Sequence, residues 1–361
     1  MISDALKLFA KMFLIVTVLI TVFLYILAIV LGPALFYFTP AGLVASAVHL
    51  STLKVWFLNI PVFVPMGLDV GALFFGLWSI FALSFVAAWK LRENFYQTIK
   101  ESVVQPARKL FCSCLFAMPI LNSMTLLAVM AINSFQEAGG IPTGTPPLQG
   151  DSFLDFFDLS YSAMVEEVGF RLIPIGAFLV IYLFTTKNGT LTLSLSRKIK
   201  LFFTAFLFPD SAKRMVGAKT VNEYGVGGGI SLGEWGMVVF TSAVFGLAHF
   251  DPGVSWEIGK VSSAAFAGLV LGLSYLLYGI QASIIMHWFF NAYTNSYSLL
   301  SEVHPAAASF ANATVIFSFI LGILGWSAAA ILGFRKLVRG AEKGDENRQS
   351  QATSSLQISP Q

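Results

Sequence analysis

Glu166, Glu167 and Arg171 fall inside YSAMVEEVGFRLIPIGAFLVIYLF, a stretch with no other charge. A carboxylate or guanidinium near the centre of a bilayer costs about 2.5–3.5 kcal/mol even on lenient insertion scales. Three of them in one apolar helix need an interior that compensates them. Glu167 and Arg171 are four residues apart and share a helix face, so they can pair. Glu166 sits about 100° around the helix from Glu167, and about 140° from Arg171 on the opposite side. One carboxylate is thus tied to the arginine while its neighbour faces something else. A carboxylate held in an apolar cavity is placed to take up and return a proton, as a general base and acid must. The competing reading is an ion-pair knot with an architectural role alone.

The histidines sharpen the case. The chain has only four, His49, His249, His287 and His304. His249 ends the short apolar run VVFTSAVFGLAHF, and His287 lies in ASIIMHWFFNAY. Asn291 stands one turn after His287 on the same face, and Phe245 one turn before His249, where it can wall a pocket. His49 and His304 fall in expected external loops and receive no role. A Glu–His pair can hold and deprotonate water, while an imidazole N–H and an amide NH₂ can donate to a developing oxyanion. Together these groups are equipped for hydrolysis. No His-Glu-x-x-His motif is present. Glu166, Glu167, His249 and His287 also contain the N and O donors of a metal set, and residue types alone leave that open.

The elements that must position these groups are membrane helices. Of 361 residues, 56% are hydrophobic and 11% charged, and the mean hydropathy is +0.76. Soluble domains carry about 25% charged residues, so this chain lacks the means to cover itself against water. Apolar runs predict eight spans near 12–37, 67–89, 110–134, 158–184, 235–250, 260–279, 282–300 and 312–334. The fifth and seventh are shorter and more polar, as helices lining an interior should be. The expected fold is an all-α polytopic membrane protein of about eight transmembrane helices around an interior catalytic cavity.

Charge placement orients the bundle. With a cytoplasmic N-terminus, the inside segments hold 19 of the 22 lysines and arginines. Lys54, Lys260 and Arg171 are the exceptions. The loop at 135–157 contains Glu137, Asp151 and Asp155 but no Lys or Arg. Both termini are therefore expected in the cytoplasm, and the net charge of +3 reads as a topology signal with no nucleic-acid partner implied. The first apolar run, after Lys7 and Lys11, is too long for a signal peptide and is read as a retained span.

Three segments interrupt the pattern. GGIPTGTPPLQG at 139–150 cannot be regular helix. Residues 187–233 form a long cytoplasmic insertion, in which IKLFFTAFLF is too short to span and suits the membrane interface, with Arg197, Lys198, Lys200, Lys213, Arg214 and Lys219 near anionic headgroups. Residues 341–361 are polar and expected to be disordered. Residues 1–340 read as one helical membrane domain with its motif-bearing core at 158–300. Cys112 and Cys114 suggest neither a disulfide nor a thiolate site.

The three motif segments together resemble the CPBP family of intramembrane glutamic endopeptidases, which includes the type II CAAX prenyl proteases. EEVGFR (Glu166–Arg171) matches the family's Glu-Glu-x-x-x-Arg, FGLAH (Phe245–His249) its Phe-x-x-x-His, and HWFFN (His287–Asn291) its His-x-x-x-Asn. The resemblance implies a membrane protease whose cavity opens to the membrane and the cytoplasmic side. It implies that Glu166 and His249 activate water, that His287 and Asn291 form the oxyanion hole, and that Glu167, Arg171 and Phe245 support them. It further implies catalysis without a metal or other cofactor. The implied partners are membrane lipids and a lipidated or hydrophobic peptide or protein substrate, such as a prenylated CAAX C-terminus trimmed of three residues.

The 187–233 insertion departs from the compact members of that family and bears on substrate access. Two other functions fit the same residues. One is a proton-coupled transporter relaying protons through Glu166 and Glu167, although no inverted repeat is visible. The other is a non-catalytic immunity or binding protein on the same scaffold.

Overall fold

The computed structural model describes residues 2–186 and 193–356, with side chains placed within 5–185 and 193–335. Helix α1 (Ile2–Phe38) leads through α2 (Pro40–Ser46) into an antiparallel hairpin, β1 (His49–Phe57) and β2 (Ile60–Asp69). Next come α3 (Val70–Lys90), two short helices α4 (Phe95–Lys100) and α5 (Ala107–Leu110), and α6 (Cys114–Ala138). Helix α7 (Ser152–Glu167) runs through a π turn (Val168–Leu172) into α8 (Ile173–Thr186). The insertion contributes α9 (Leu195–Leu207), α10 (Pro209–Met215) and α11 (Val221–Gly229). After it stand α12 (Leu232–Leu247), α13 (Ile258–Tyr278) and α14 (Ile280–Trp288). A second π turn (Phe289–Tyr293) joins α14 to α15 (Thr294–Val303), and α16 (Ala308–Leu356) closes the chain.

Among the described residues, six helical stretches are long and apolar enough to cross a bilayer: Ala5–Phe38, Val70–Lys90, Cys114–Ala138, Ser152–Thr185, Ile258–Tyr278 and Pro305–Arg335. The pair Val221–Gly229 and Leu232–Leu247, bent by 71°, makes a seventh if taken as one span. The chain is an all-α polytopic membrane protein, with six or seven such helices where the sequence suggests eight. The missing one is the run through α14 and α15. It is helical and central, but Gln281, Ser283, His287, Asn291, Asn295 and Ser296 dilute its apolar content. A helix enclosed by other helices needs no lipid-compatible surface.

Outward faces are apolar, as lipid requires. Phe23, Phe75, Leu83 and Ile181 are all exposed on candidate spans. Polar side chains within these helices bond locally: Thr17 Oγ1 donates to Phe13 O at 2.8 Å, and Thr21 Oγ1 to Thr17 O at 2.9 Å. Inside, Tyr25 of α1 meets Trp288, Phe289 and Tyr293, with ring centroids 5.6, 5.8 and 4.9 Å apart. Asn122 of α6 donates to the Tyr25 hydroxyl at 3.1 Å. This aromatic core seats α14 against α1, α3 and α6, and so fixes the depth of His287.

The hairpin is the departure from an all-helical reading. Its strands turn at Leu58 and Asn59, with Phe57 opposite Ile60 and Val55 opposite Val62. Trp56 and Lys54 therefore turn their backbone groups away from β2, and the Tyr161 hydroxyl of α7 donates to Lys54 O at 2.9 Å. The outer edge of β2 carries Pro61 and Pro65, which cannot donate to a further strand. His49 belongs to this hairpin and bonds Asp69 at 2.9 Å in an exposed position.

At the opposite end of α13, Arg92 donates to Leu277 O and, at 2.9 Å, to Asn222 Oδ1. Lys213, grouped above with the headgroup-facing basic residues, is instead buried and pairs with Glu234 of α12 at 2.9 Å. IKLFFTAFLF lies in α9, whose Leu195, Ile199, Phe202 and Phe203 are exposed. Helix α16 continues to Leu356, through much of the tail expected to be disordered; its Ala, Glu, Arg and Gln residues are good helix formers. Residues 357–361 of that tail, and 187–192 of the insertion, lie outside the described residues.

Candidate active site

The site begins with an irregularity in one helix. In the π turn, Ile173 N–H reaches back five residues to Val168 O. The next amide in that register belongs to Pro174, which has no N–H. Gly169 O is thereby released, and Leu58 N–H at the hairpin tip donates to it at 3.2 Å. Trp56 O packs directly on Gly169 Cα, where any side chain would collide with it. The hairpin is thus bonded to the helix at the residue that separates Glu166 and Glu167 from Arg171. Orphaned backbone groups in a membrane interior need such partners.

Glu167 and Arg171 form the expected pair, Oε1 to Nη1 at 3.0 Å, with side chains 0% and 1% exposed. Arg171 also stacks over the Phe245 ring, 4.3 Å from its centroid. Gly268 of α13 allows this crossing: a Cβ there would lie 3.1 Å from the Phe245 ring and 3.3 Å from Arg171 Nη2. Phe245 is buried between the two histidines, 4.6 Å from the His249 ring and 5.9 Å from the His287 ring.

His287 joins the carboxylates. Its Nδ1 lies 2.7 Å from Glu167 Oε1 and its Nε2 lies 3.4 Å from Glu166 Oε2. The helical-wheel separation of Glu166 from Glu167 is real, yet one imidazole spans both. Glu167 therefore does more than balance Arg171; it holds His287 as well. Glu166 keeps 17% of its side chain exposed. Glu166 Oε2, Glu167 Oε2 and Arg171 Nη2 are buried atoms without a hydrogen-bond partner among the described residues, so they can still bond a third party.

His249 stands just past the end of α12, which stops at Leu247. Its Nδ1 meets Phe245 O at 2.8 Å. A carbonyl only accepts, so Nδ1 carries the proton there and Nε2 of the neutral ring is an acceptor. Glu166, Lys260 and His287 all act electrostatically on His249. Asn291 lies in the second π turn and spends one amide hydrogen on Leu159 O of α7 at 3.1 Å, leaving the other available. The helices of the first and third motifs thus each carry a π turn at the cluster, a distortion common at functional sites.

All seven residues singled out in the sequence lie on α7, α12 and the turn just after it, α14 and the two π turns. Among the described residues no group of three or more His, Cys, Asp or Glu is placed to hold a metal ion. Three neighbours were missed. Trp56 and Leu58 pack against Phe170 and Phe245 beside Ala248, and the alternating HLSTLKVWF run was their signal. Lys260 was visible as an exception to the charge bias. The cluster lies towards the Ile258 end of α13, where Gly246 abuts Val261 and Ala265. The other end of α13 is at Tyr278. There, two cavities of about 180 and 220 Å³ are lined by residues such as Arg92, Arg214 and Tyr278 or Lys213, Lys219 and Glu234, and neither reaches the cluster.

Residues 156–293 match the family model described as Type II CAAX prenyl endopeptidase Rce1-like. The match covers the motif-bearing core, which is similar to that family. Every motif residue from Glu166 to Asn291 lies inside the matched segment, and the hairpin lies outside it. Neither a curated protein nor a solved structure matches the chain. The likeness is to a family of endopeptidases, and the transporter reading gains nothing from it.

Proposed function

We propose that this protein is a glutamate-dependent intramembrane endopeptidase whose water is activated by Glu166 and His249. The observation that carries the reading is His287 held between Glu166 and Glu167 while His249 Nε2 stays free to accept. Water donates one hydrogen to His249 Nε2 and yields the other to Glu166. The resulting hydroxide attacks the peptide carbonyl carbon, and the carbonyl π pair moves onto oxygen. That oxyanion takes hydrogen bonds from His287 Nε2–H and from the spare Asn291 amide hydrogen.

For His287 to donate from Nε2 while Nδ1–H bonds Glu167, both ring nitrogens carry protons. Collapse of the tetrahedral intermediate returns the proton from Glu166 to the departing amine nitrogen as the C–N bond breaks. Phe245, Trp56 and Leu58 supply apolar walls, which favour a hydrophobic or lipidated substrate such as a prenylated CAAX C-terminus.

Purified protein incubated with prenylated CAAX peptides, with products read by mass spectrometry, tests the reading. Release of the C-terminal tripeptide by wild type and its loss in Glu166→Gln support it. Intact peptides after incubation with wild type favour a silent binding protein on this scaffold.

A further inference from the structure

One apolar surface of the chain belongs to no helix. Residues 55–68, between Lys54 and Asp69, carry no charge and make up most of the β1–β2 hairpin. Phe57, Ile60, Val62, Phe63 and Leu68 are exposed there. Successive residues of a strand point to opposite faces, so Val62 and Phe63 present both faces of β2. An exposed apolar surface of this kind marks a contact with something other than water.

Hydrogen bonds and ring contacts fix where the hairpin lies. At its base, Val70 N–H at the start of α3 donates to Val48 O at 2.9 Å. Phe36, near the end of α1, lies 4.0 Å from Phe74 of α3 and 6.2 Å from Phe153 of α7 between ring centroids. The base of the hairpin is therefore level with the first turn of α7. Midway along, the Tyr161 hydroxyl donates to Lys54 O at 2.9 Å, and at the tip Leu58 N–H donates to Gly169 O at 3.2 Å. Lys54 to Leu58 rises about 13 Å as strand, and Tyr161 to Gly169 about 12 Å as helix. The hairpin thus runs alongside α7 from base to tip. Gly169 lies at the middle of Ser152–Thr185, a stretch long and apolar enough to cross a bilayer.

We propose that the hairpin is a re-entrant element inserted in the bilayer, with phospholipid acyl chains covering its β2 side. Hydrocarbon offers no partner to an open strand edge, and both edges are treated accordingly. The edge of β1 is bonded to α7 and the π turn through Lys54 O and Leu58 N–H. On β2, Pro61, Phe63 and Pro65 stand opposite Trp56, Lys54 and Thr52 and turn their backbone groups outward. The two prolines leave Phe63 N–H as the one outward donor of the three, and unpaired carbonyls are tolerated better than unpaired N–H groups. Trp56 and Leu58 pack against Phe170 and Phe245, so β1 faces the motif cluster while β2 faces lipid. The placement holds whatever chemistry the cluster performs.

Photolabelling from within the bilayer tests this. Full-length protein is reconstituted in vesicles of phosphatidylcholine carrying a diazirine on its acyl chain, and adducts are mapped by mass spectrometry after illumination. Residues 60–66 should be labelled as often as Phe75 and Leu83, which are exposed on α3, while the 139–150 loop stays unlabelled. A nitroxide on Phe63→Cys, with Cys112 replaced by serine, should collide more with oxygen than with a water-soluble nickel chelate. On Ser51→Cys, at the hairpin base, that order should reverse. Labelling of α3 without labelling of residues 60–66 overturns the proposal, as does nickel-chelate access at Phe63 equal to that at Ser51. Either result places the apolar surface in water or under another protein surface. The photolabelling uses the unaltered chain, so it decides the matter even if the cysteine variants do not fold.

Discussion

His287 Nδ1 approaches Glu167 Oε1 to 2.7 Å, so the carboxylate that neutralises Arg171 also grips the imidazole that faces Glu166. Glu167 thus has two partners, and in the proposed mechanism it positions His287. Breaking a buried pair from one side typically costs about 3–5 kcal/mol, so Glu167→Gln and Arg171→Gln should each lower the melting temperature markedly. The double variant should regain part of that stability, because neither charge is stranded. Turnover should not return with it, since His287 has lost its anchor. Melting curves and rates for the three variants check this; full rates in the double variant would confine Glu167 to an architectural role.

Gly169→Ala probes the hairpin. The new methyl group meets Trp56 O, so the strand must withdraw and release the Leu58–Gly169 bond. Overpacking of this kind typically costs about 1–3 kcal/mol. Limited proteolysis should then cut near Leu58–Asn59 faster than in wild type, with turnover reduced as Trp56 and Leu58 leave the Phe245 wall. Unchanged proteolysis and rate would detach the hairpin from the site.

Much of this site was legible because each signal was local. Charge inside an apolar run, four-residue spacing within a helix and histidines beside polar residues all survive in one dimension. Relations across the chain were not legible. Nothing in EEVGFR says that His287 bridges its two glutamates, since that depends on how the aromatic core around Tyr25 sets the depth of α14. The π turn was foreshadowed only by Gly169 and Pro174, and its docking partner lies over a hundred residues earlier. The α14–α15 run falls short of the length and apolar content that mark six or seven helices as able to cross a bilayer, and an enclosed helix need not meet the apolar requirement of a lipid-facing one.

The bias of basic residues predicts the orientation. With Cys112 replaced by serine, Gln149→Cys in the exposed 139–150 loop should react with an impermeant thiol reagent on intact cells. Ser211→Cys on α10 should react only after permeabilisation. The reverse pattern would invert the bundle and turn the His249 end towards the cytoplasm.

Water activation as proposed, by Glu166 and His249, requires no ion. Activity should therefore persist after exhaustive chelation. Loss of activity that is restored by zinc alone would place the chemistry on a metal.

Glu166→Gln is the most direct test of the whole account. The change preserves volume and leaves the Glu167–Arg171 and Glu167–His287 contacts in place. Peptide cleavage followed by mass spectrometry should fall by about a hundredfold to ten-thousandfold, as loss of a general base does, with the melting temperature unchanged. A stable Glu166→Gln protein that cleaves at the wild-type rate would contradict the mechanism.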